Sequence, residues 1–389
     1  MRKFMLFSFL SLFFISCEKQ TENHEIDGSR NEVVDRDGMM ILGKQLENPY
    51  SVENMQKAYQ NLKKKKSDIP EIAIEATHLY IRFLPENQEE YDKLLWDSII
   101  EIFDHPLDFE ILQDGNFYHD PTIPLTSITW QYSAVPINQP LPPFKYEVLA
   151  ELFIPPTHSI ESSNNKNSTL TEFYVLLEDE ALLITNNLSE NSKSKGSKWT
   201  PKGSVKVLDD ILNRYVPIQG VKVRANRWFT TYSAVTDVNG NYSMSGTFKN
   251  PADYSIVWEQ EDFDVRDGNW GQAIMNSKNI EGDWNAIISS GESSLHATIF
   301  RAAYRYYYNN TLGIKSPPTN KWYRSKIKIG AHDKDKDFNG DFAKWRNWFT
   351  WPQIRIYNLD KYGNLKSRQS IFSTTIHELA HASHWDLAV

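Results

Sequence analysis

Hydrophobic residues recur every three to four positions, as on one face of a helix, in several segments of the chain. These segments are 52–66, 87–103, 285–308 and 370–385. Hydrophobic and polar residues alternate, as in β-strands, at 77–84, 109–112, 220–224, 236–243, 254–258, 326–329 and 354–357. Segment 172–183 is apolar and fits a helix or a strand. The mixture predicts an α+β fold class.

The chain of 389 residues is long enough for about two to four domains. Ser-, Asn- and Lys-rich stretches near 162–168 and 186–197 have the composition of linkers. We therefore predict a multidomain protein, divided as follows: an N-terminal α+β domain at 46–157, a linker region at 158–201, a small antiparallel β-sandwich at 202–262 and a C-terminal α+β domain at 263–389. Residues 18–45 are polar, and this composition predicts a flexible leader.

The first seventeen residues have the pattern of a targeting segment. Arg2 and Lys3 precede an apolar run at 4–15, which is too short to cross a bilayer as a helix. Ser16-Cys17 resembles a bacterial lipobox, which implies cleavage before Cys17 and lipidation of its thiol. The resemblance predicts an exported lipoprotein at the outer membrane or cell surface, anchored to the membrane through Cys17. An ordinary signal peptide with an incidental cysteine is the alternative.

Charge and aromatic content narrow the function classes. The net charge is −8, and no basic face with interleaved aromatic residues is visible, so nucleic acid is excluded as an expected partner. The run 63–66 of four lysines closes a helical pattern, where cations suit the helix dipole. Trp345, Trp348 and Trp351 recur every three residues, as in an aromatic platform for sugar or peptide or in a packed core.

The motif His377-Glu378-Leu379-Ala380-His381 lies in the last helical segment. Residues four apart share a helix face, so the two histidines can reach one metal ion together, with Glu378 beside them. An apolar stripe roughly opposite the histidines supports the helix: Phe372, Ile376, Leu379, Ser383 and Leu387. The alternative interpretation is an exposed helix face with incidental histidines.

The motif, in the context T-T-I-H-E-L-A-H-A-S-H-W, resembles the zincin metallopeptidases, of the gluzincin type. The resemblance implies that His377 and His381 bind Zn²⁺ and that Glu378 is the general base towards a zinc-bound water. His384 lies about 10 Å along the axis from His377, too far for all three histidines to share an ion. Gluzincins take their third ligand, a Glu, from a later helix. We therefore expect the zincin-like domain to continue after Val389, where the sequence ends. The alternative is a site that lacks its third protein ligand.

Two further patterns accompany the motif. P-I-Q-G-V-K-V and T-D-V-N-G-N-Y-S resemble a carboxypeptidase regulatory-like, or prealbumin-like, sandwich, which implies a structural module without catalytic residues. Segment 354–358 fits the edge strand that lines a zincin cleft, or an interior strand. The N-terminal domain fits a prodomain-like shield for a cleft or a docking module.

An acidic loop precedes that strand. From Asp335, the spacing D-x-D-x-N-G matches the start of a calcium-binding EF-hand loop, but position twelve is Arg346 where Glu is expected. We expect a solvated acidic loop, with calcium as the alternative.

These features predict an extracytoplasmic zinc metallopeptidase that hydrolyses peptide or protein substrates. The alternative is a non-enzymatic surface lipoprotein for adhesion or glycan binding, whose zincin domain has decayed. The aromatic content and the sandwich module suit that alternative.

Overall fold

The N-terminal part combines helices with small antiparallel sheets. The computed structural model describes residues 38–156, 168–188, 198–268, 271–309, 313–321, 325–349 and 351–387. Its first strands are β1 (Ile41–Gln45), β2 (His78–Leu84), β3 (Phe109–Gln113), β4 (Gln131–Pro136) and β5 (Lys145–Leu152). Strands β4, β2 and β5 form one sheet in that order, and β1 pairs with β3. The first helices are α1 (Val52–Lys65), α2 (Gln88–Leu95) and α3 (Ser168–Ile184).

Two predictions for this part are wrong at the level of single elements. The predicted leader 18–45 contains strand β1 at its end, where β3 supplies the pairing partner. The helix predicted over 87–103 ends at Leu95. It ends there because the Asp97 carboxylate accepts hydrogen bonds from the main-chain N–H groups of Ile99 and Ile100, at 2.8 and 2.9 Å, and this turn competes with the helix.

Two packed sheets follow and form the predicted β-sandwich. One contains β6 (Lys202–Asp209), β7 (Arg214–Pro217), β10 (Asn241–Ser243) and β15 (Trp284–Ile288). The other has the order β14-β11-β8-β9, built from β8 (Lys222–Arg227), β9 (Thr230–Val235), β11 (Ala252–Val257) and β14 (Ile274–Ile280). Their inner side chains share one buried cluster.

The sandwich differs from the prediction in extent and in strand direction. Strands β14 and β15 lie beyond the predicted boundary at residue 262, and 285–288 is strand rather than the start of a helix. Strand β15 runs parallel to β6, with Trp284 opposite Gly203, so the sandwich is not purely antiparallel. The buried residues Trp284, Ala286 and Ile288 alternate with less buried ones, which is the periodicity of a strand.

The C-terminal part is a five-stranded sheet with helices packed on one face. Its order is β13-β12-β16-β18-β17, and β12, β16 and β18 run parallel. The strands are β12 (Phe263–Asp267), β13 (Gly271–Gln272), β16 (Ile327–Asp335), β17 (Gly340–Phe342) and β18 (Ile354–Leu359). Helices α4 (Gly291–Tyr308) and α5 (Arg368–Leu387) pack on each other, and a 3-10 helix spans Lys344–Phe349. These elements confirm the predicted α+β fold class.

The N-terminal part is joined to this sheet by a buried ionic cluster. Asp92 on α2 meets the guanidinium of Arg266 at 3.0 Å and also pairs with the ammonium of Lys328. Asp264 completes the cluster at 2.6 Å from Arg266. All four side chains are almost fully buried, so two cations from β12 and β16 depend on a carboxylate supplied by α2. By their contacts, the described residues belong to one unit.

Candidate metal site on helix α5

Helix α5 carries the predicted motif and is held at its first turn by two side chains. Ser367 accepts a hydrogen bond from the N–H of Ser370 at 3.2 Å. Asp210, in the β6–β7 turn of the sandwich, accepts one from the N–H of Arg368 at 2.7 Å. A carboxylate at this position also suits the positive end of the helix dipole. The sandwich therefore helps to position the motif helix.

The buried side of α5 overlaps the predicted stripe but is rotated from it. Leu379 and Ser383 are buried as predicted, whereas Phe372 and Ile376 are only half-buried. The fully buried positions that the stripe omitted are Ile371, Thr375 and Ala382. Thr375 fits because its hydroxyl donates to the carbonyl of Ile371 at 2.9 Å, which hides its polarity within the helix. The side chain of Leu387 lies outside the described residues.

The two motif histidines meet on the exposed side of α5. The Nε2 atoms of His377 and His381 are 3.0 Å apart, and the ring centroids are 4.5 Å apart with the planes at 89°. Both side chains are exposed. The spacing therefore brings the imidazole nitrogens to one point in solvent, as the sequence predicted.

Glu378 faces a different direction from its neighbouring histidine. Its side chain is 7% exposed and lies on the side of α5 that faces strand β17. Thr374, one turn earlier on that side, packs so closely on Gly340 that a Cβ added there would lie 2.7 Å from the Thr374 methyl carbon. Burial lowers the pKa of Arg346, and the charge of Arg355 lowers it further, whereas the negative charge of Glu378 opposes both. Glu378 thus lies on the side of α5 that packs against β17.

Strand β17, which packs beside this side of α5, is an edge strand that the sequence did not identify. Strand β18, which covers the proposed edge segment 354–358, is interior, between β16 and β17, so the interior alternative holds. The strand at the end of the sheet is the short antiparallel β17, with Gly340 opposite Ile356 and Phe342 opposite Ile354. Its only strand partner among the described residues is β18.

Two of the usual three ligands of a catalytic zinc ion are present at the histidine pair. Within the described ranges, no group of three or more His, Cys, Asp or Glu side chains could hold a metal ion. His384 is exposed on the same helix but is not brought to the pair. The donor set thus fits a zinc ion in type, with imidazole nitrogens converging, and supplies two positions.

The acidic loop joins β16 to β17 and has no EF-hand architecture, because strands flank it instead of helices. Asp333 accepts a hydrogen bond from the Asn358 amide at 3.0 Å. Asp341 pairs with Arg346, the residue at position twelve. One oxygen of each carboxylate thus has a protein partner, whereas Oδ1 of Asp341 is buried without a hydrogen bond among the described residues.

Other predicted features lie apart from the site. Cys17 and the signal segment fall outside the described residues. Among the described helices, none combines the length and apolarity needed to cross a bilayer. Trp345 is 57% exposed, so it belongs to the surface rather than to a core. Sequence reasoning missed Asp210 and Arg346, since no local motif marks either residue.

Comparisons with known proteins add little to this geometry. No family model matches the chain, and no curated protein matches it. A solved structure of 5-hydroxyisourate hydrolase from Klebsiella pneumoniae is similar to part of this chain. The similarity covers 24% of this chain and 91% of the hydrolase chain, with 17% sequence identity and a TM-score of 0.16. A likeness of this degree supports no conclusion about fold or activity, and the proposals below rest on the residues alone.

Proposed function

We propose that this chain is a zinc-dependent peptidase in which His377 and His381 hold the ion and Glu378 is the general base. The observation that carries the proposal is the 3.0 Å approach of the two Nε2 atoms on the exposed side of α5. In a tetrahedral zinc site, with Zn–N distances of about 2.0–2.1 Å, two imidazole nitrogens lie about 3.3 Å apart. The pair is close to that separation without any rearrangement of the helix.

The remaining groups fit acyl transfer to water. A zinc ion bound there would supply Lewis-acid polarisation of a carbonyl group and of water. Glu378, on the side of α5 that faces β17, would accept a proton from the attacking water and pass it to the leaving amine nitrogen. The outer edge of β17 would pair with the main chain of an extended peptide and hold it beside α5.

The proposed place of action is outside the cytoplasm. The short apolar segment before Cys17 supports export and lipidation of that residue, which would tether the protein to the outer membrane or cell surface. The substrates would then be extracytoplasmic peptides or proteins.

The test measures zinc content and peptide hydrolysis in the same set of variants. His377→Ala and His381→Ala should lose zinc, by elemental analysis, and activity. Glu378→Gln should keep zinc and lose most turnover, because an amide cannot take up the proton. His384→Ala is the matched control: it removes an exposed histidine from the same helix and should change neither quantity.

A second candidate is a non-enzymatic surface protein for adhesion or glycan binding. The exposed indoles of Trp345 and Trp385 favour it, because aromatic rings at a surface are common contacts for partners. If the His377 and His381 variants kept their zinc, or if Glu378→Gln retained near wild-type turnover, this candidate would replace the peptidase.

A further inference from the structure

An aromatic ring and a cation lie together beside the histidine pair. Trp385 follows His381 by four residues and therefore lies one turn further along the same side of α5. Its indole is 49% exposed. The ammonium nitrogen of Lys344 lies 5.7 Å from the centroid of the Trp385 ring. Lys344 begins the 3-10 helix that follows strand β17, so the segment after β17 meets the last turns of α5 at this point.

The described part of the chain supplies no carboxylate that neutralises the charge of Lys344. Its side chain is exposed, and among the described residues it forms no ion pair with a carboxylate. The nearby carboxylates have other cationic partners: Asp341 pairs with Arg346, and Asp386 lies 3.6 Å from Lys315. A cation beside an aromatic face keeps its capacity to bind an anion from solution.

The two ends of strand β17 carry different charges. The acidic loop precedes Gly340, and the cations Lys344 and Arg346 follow Phe342. Helix α5 starts near the acidic end, where Arg368 donates to the Asn358 side chain at 3.1 Å. It finishes near Lys344. A bound peptide would therefore meet positive charge at the end where Trp385 stands.

We propose that Lys344 and Trp385 form a substrate subsite for an acidic residue, Asp or Glu, close to the bond that is cleaved. The side-chain carboxylate would pair with the Lys344 ammonium, and its methylene groups would lie over the Trp385 ring. This inference rests on the proposed peptidase function and adds a substrate class to it. A free C-terminal carboxylate of a peptide has the same chemistry as an Asp or Glu side chain. The test below distinguishes the two.

The test uses one set of C-terminally amidated fluorogenic peptides that differ only in Glu, Gln or Lys at each position flanking the cleaved bond. The full chain should cleave the best Glu peptide roughly tenfold faster, in kcat/KM, than the matched Lys peptide, which corresponds to about 1.4 kcal/mol. Lys344→Glu should reverse that order. Trp385→Ala should raise KM for the Glu and Gln peptides alike with little change in kcat, because the ring contacts the stem and not the charge.

Lys361→Glu is the matched control, since Lys361 also lies beside an exposed aromatic ring, at 5.1 Å from the centroid of Tyr362, but belongs to the turn before α5. It makes the same charge change and should keep the Glu preference. Equal rates for Glu and Lys peptides, a preference that requires a free C-terminus, or the same ranking in Lys344→Glu and Lys361→Glu would each overturn the subsite while leaving the peptidase intact.

Binding separates failure of the subsite from failure of the proposed function. If the wild-type chain cleaves none of the peptides, binding alone decides on the subsite. Tryptophan fluorescence then measures whether the chain still binds the Glu peptide more tightly than the Lys peptide. Preference for Glu that is lost in Lys344→Glu supports the subsite, and equal affinities overturn it.

Discussion

The carboxylate of Asp210 accepts a 2.7 Å hydrogen bond from the main-chain N–H of Arg368, although 158 residues separate the two in sequence. This contact satisfies one of the N–H groups that an isolated helix leaves unpaired at its start. We expect Asp210→Ala to lower the free energy of unfolding by about 0.5–2 kcal/mol, the usual effect of losing a helix cap. Urea denaturation followed by circular dichroism measures the change.

Asp210→Asn is the matched control for that variant. The amide oxygen still accepts the hydrogen bond, so most of the stability should remain. Equal losses in the alanine and asparagine variants would mean that the charge of Asp210 matters more than the hydrogen bond.

Removing Asp92 should have a much larger effect. Asp92→Ala removes a carboxylate that pairs with two buried cations, Arg266 and Lys328. Breaking a buried ion pair in this way costs about 3–5 kcal/mol, measured as a fall in the denaturation midpoint. Glu89→Ala, which breaks the exposed pair with Lys93 on the same helix, should leave the midpoint almost unchanged. Similar midpoints for the two variants would contradict the role given to the cluster.

The buried ionic cluster around Asp92 argues against a prodomain role for the N-terminal domain. A prodomain-like shield must be able to leave the protein, whereas Asp92 is held by 3.0 Å and shorter contacts to the C-terminal sheet. After limited proteolysis between 189 and 197, we expect residues 38–156 to co-elute with the remainder in gel filtration. Their separation without denaturant would restore the prodomain hypothesis.

Buried histidines make the protein sensitive to acid. Burial lowers the pKa of His332 to about 4, and the charge of Arg355 adds to the effect. Burial also lowers the pKa of His296 to about 3. Because unfolded imidazoles bind protons at about pH 6.5, the unfolded chain binds more protons than the folded one below that pH. The contribution of these two histidines to the free energy of unfolding is therefore fully present above pH 6.5. It is lost as the pH falls towards 3.

His332→Phe isolates one of these contributions. A phenyl ring can keep the packing on Tyr357, whose centroid is 5.4 Å away, and does not titrate. Between pH 6 and 4 the slope of stability against pH should decrease by up to about 1.4 kcal/mol per pH unit, the effect of one proton. Urea titrations at several pH values give the slope, and an unchanged slope would assign the acid sensitivity to other groups.

The proposed anchor is tested by fractionation. Cys17→Ala should prevent lipidation and move the protein from the membrane fraction to the soluble fraction. Cys17→Ala protein that still sediments with membranes, to the same extent as wild type, would rule out the lipobox interpretation.

Local patterns predicted the positions of α1 and β2 but not the end of every helix. Helix α1 ends within the lysine run, at Lys65, and the strand at 77–84 is found as β2. Helix α2 is shorter than the predicted segment 87–103 because Asp97 stabilises a turn within that segment. The strand pairing of Trp284 with Gly203 has no local signal, since the partner is supplied from a distant part of the chain.

The same distinction applies to the candidate site. The approach of His377 to His381 follows from the pitch of a helix and was predictable from spacing. The identity of the edge strand was not, because β17 has only three residues and no alternating pattern. Arg346 and Asp210 act on the motif helix across loops, so their roles depend on tertiary packing that spacing does not encode.

The ionic cluster also constrains the order in which the chain can fold. Lys328 follows Asp92 by 236 residues, and ribosomes add about 5–20 residues per second. Asp92 is therefore synthesised about ten seconds or more before Lys328, the later of its two cationic partners. Until then, burying its carboxylate is unfavourable, so the surface of α2 stays solvated. Completion of the N-terminal part thus waits for the C-terminal sheet, and we expect slow, late consolidation of both parts together rather than independent folding from the N-terminus.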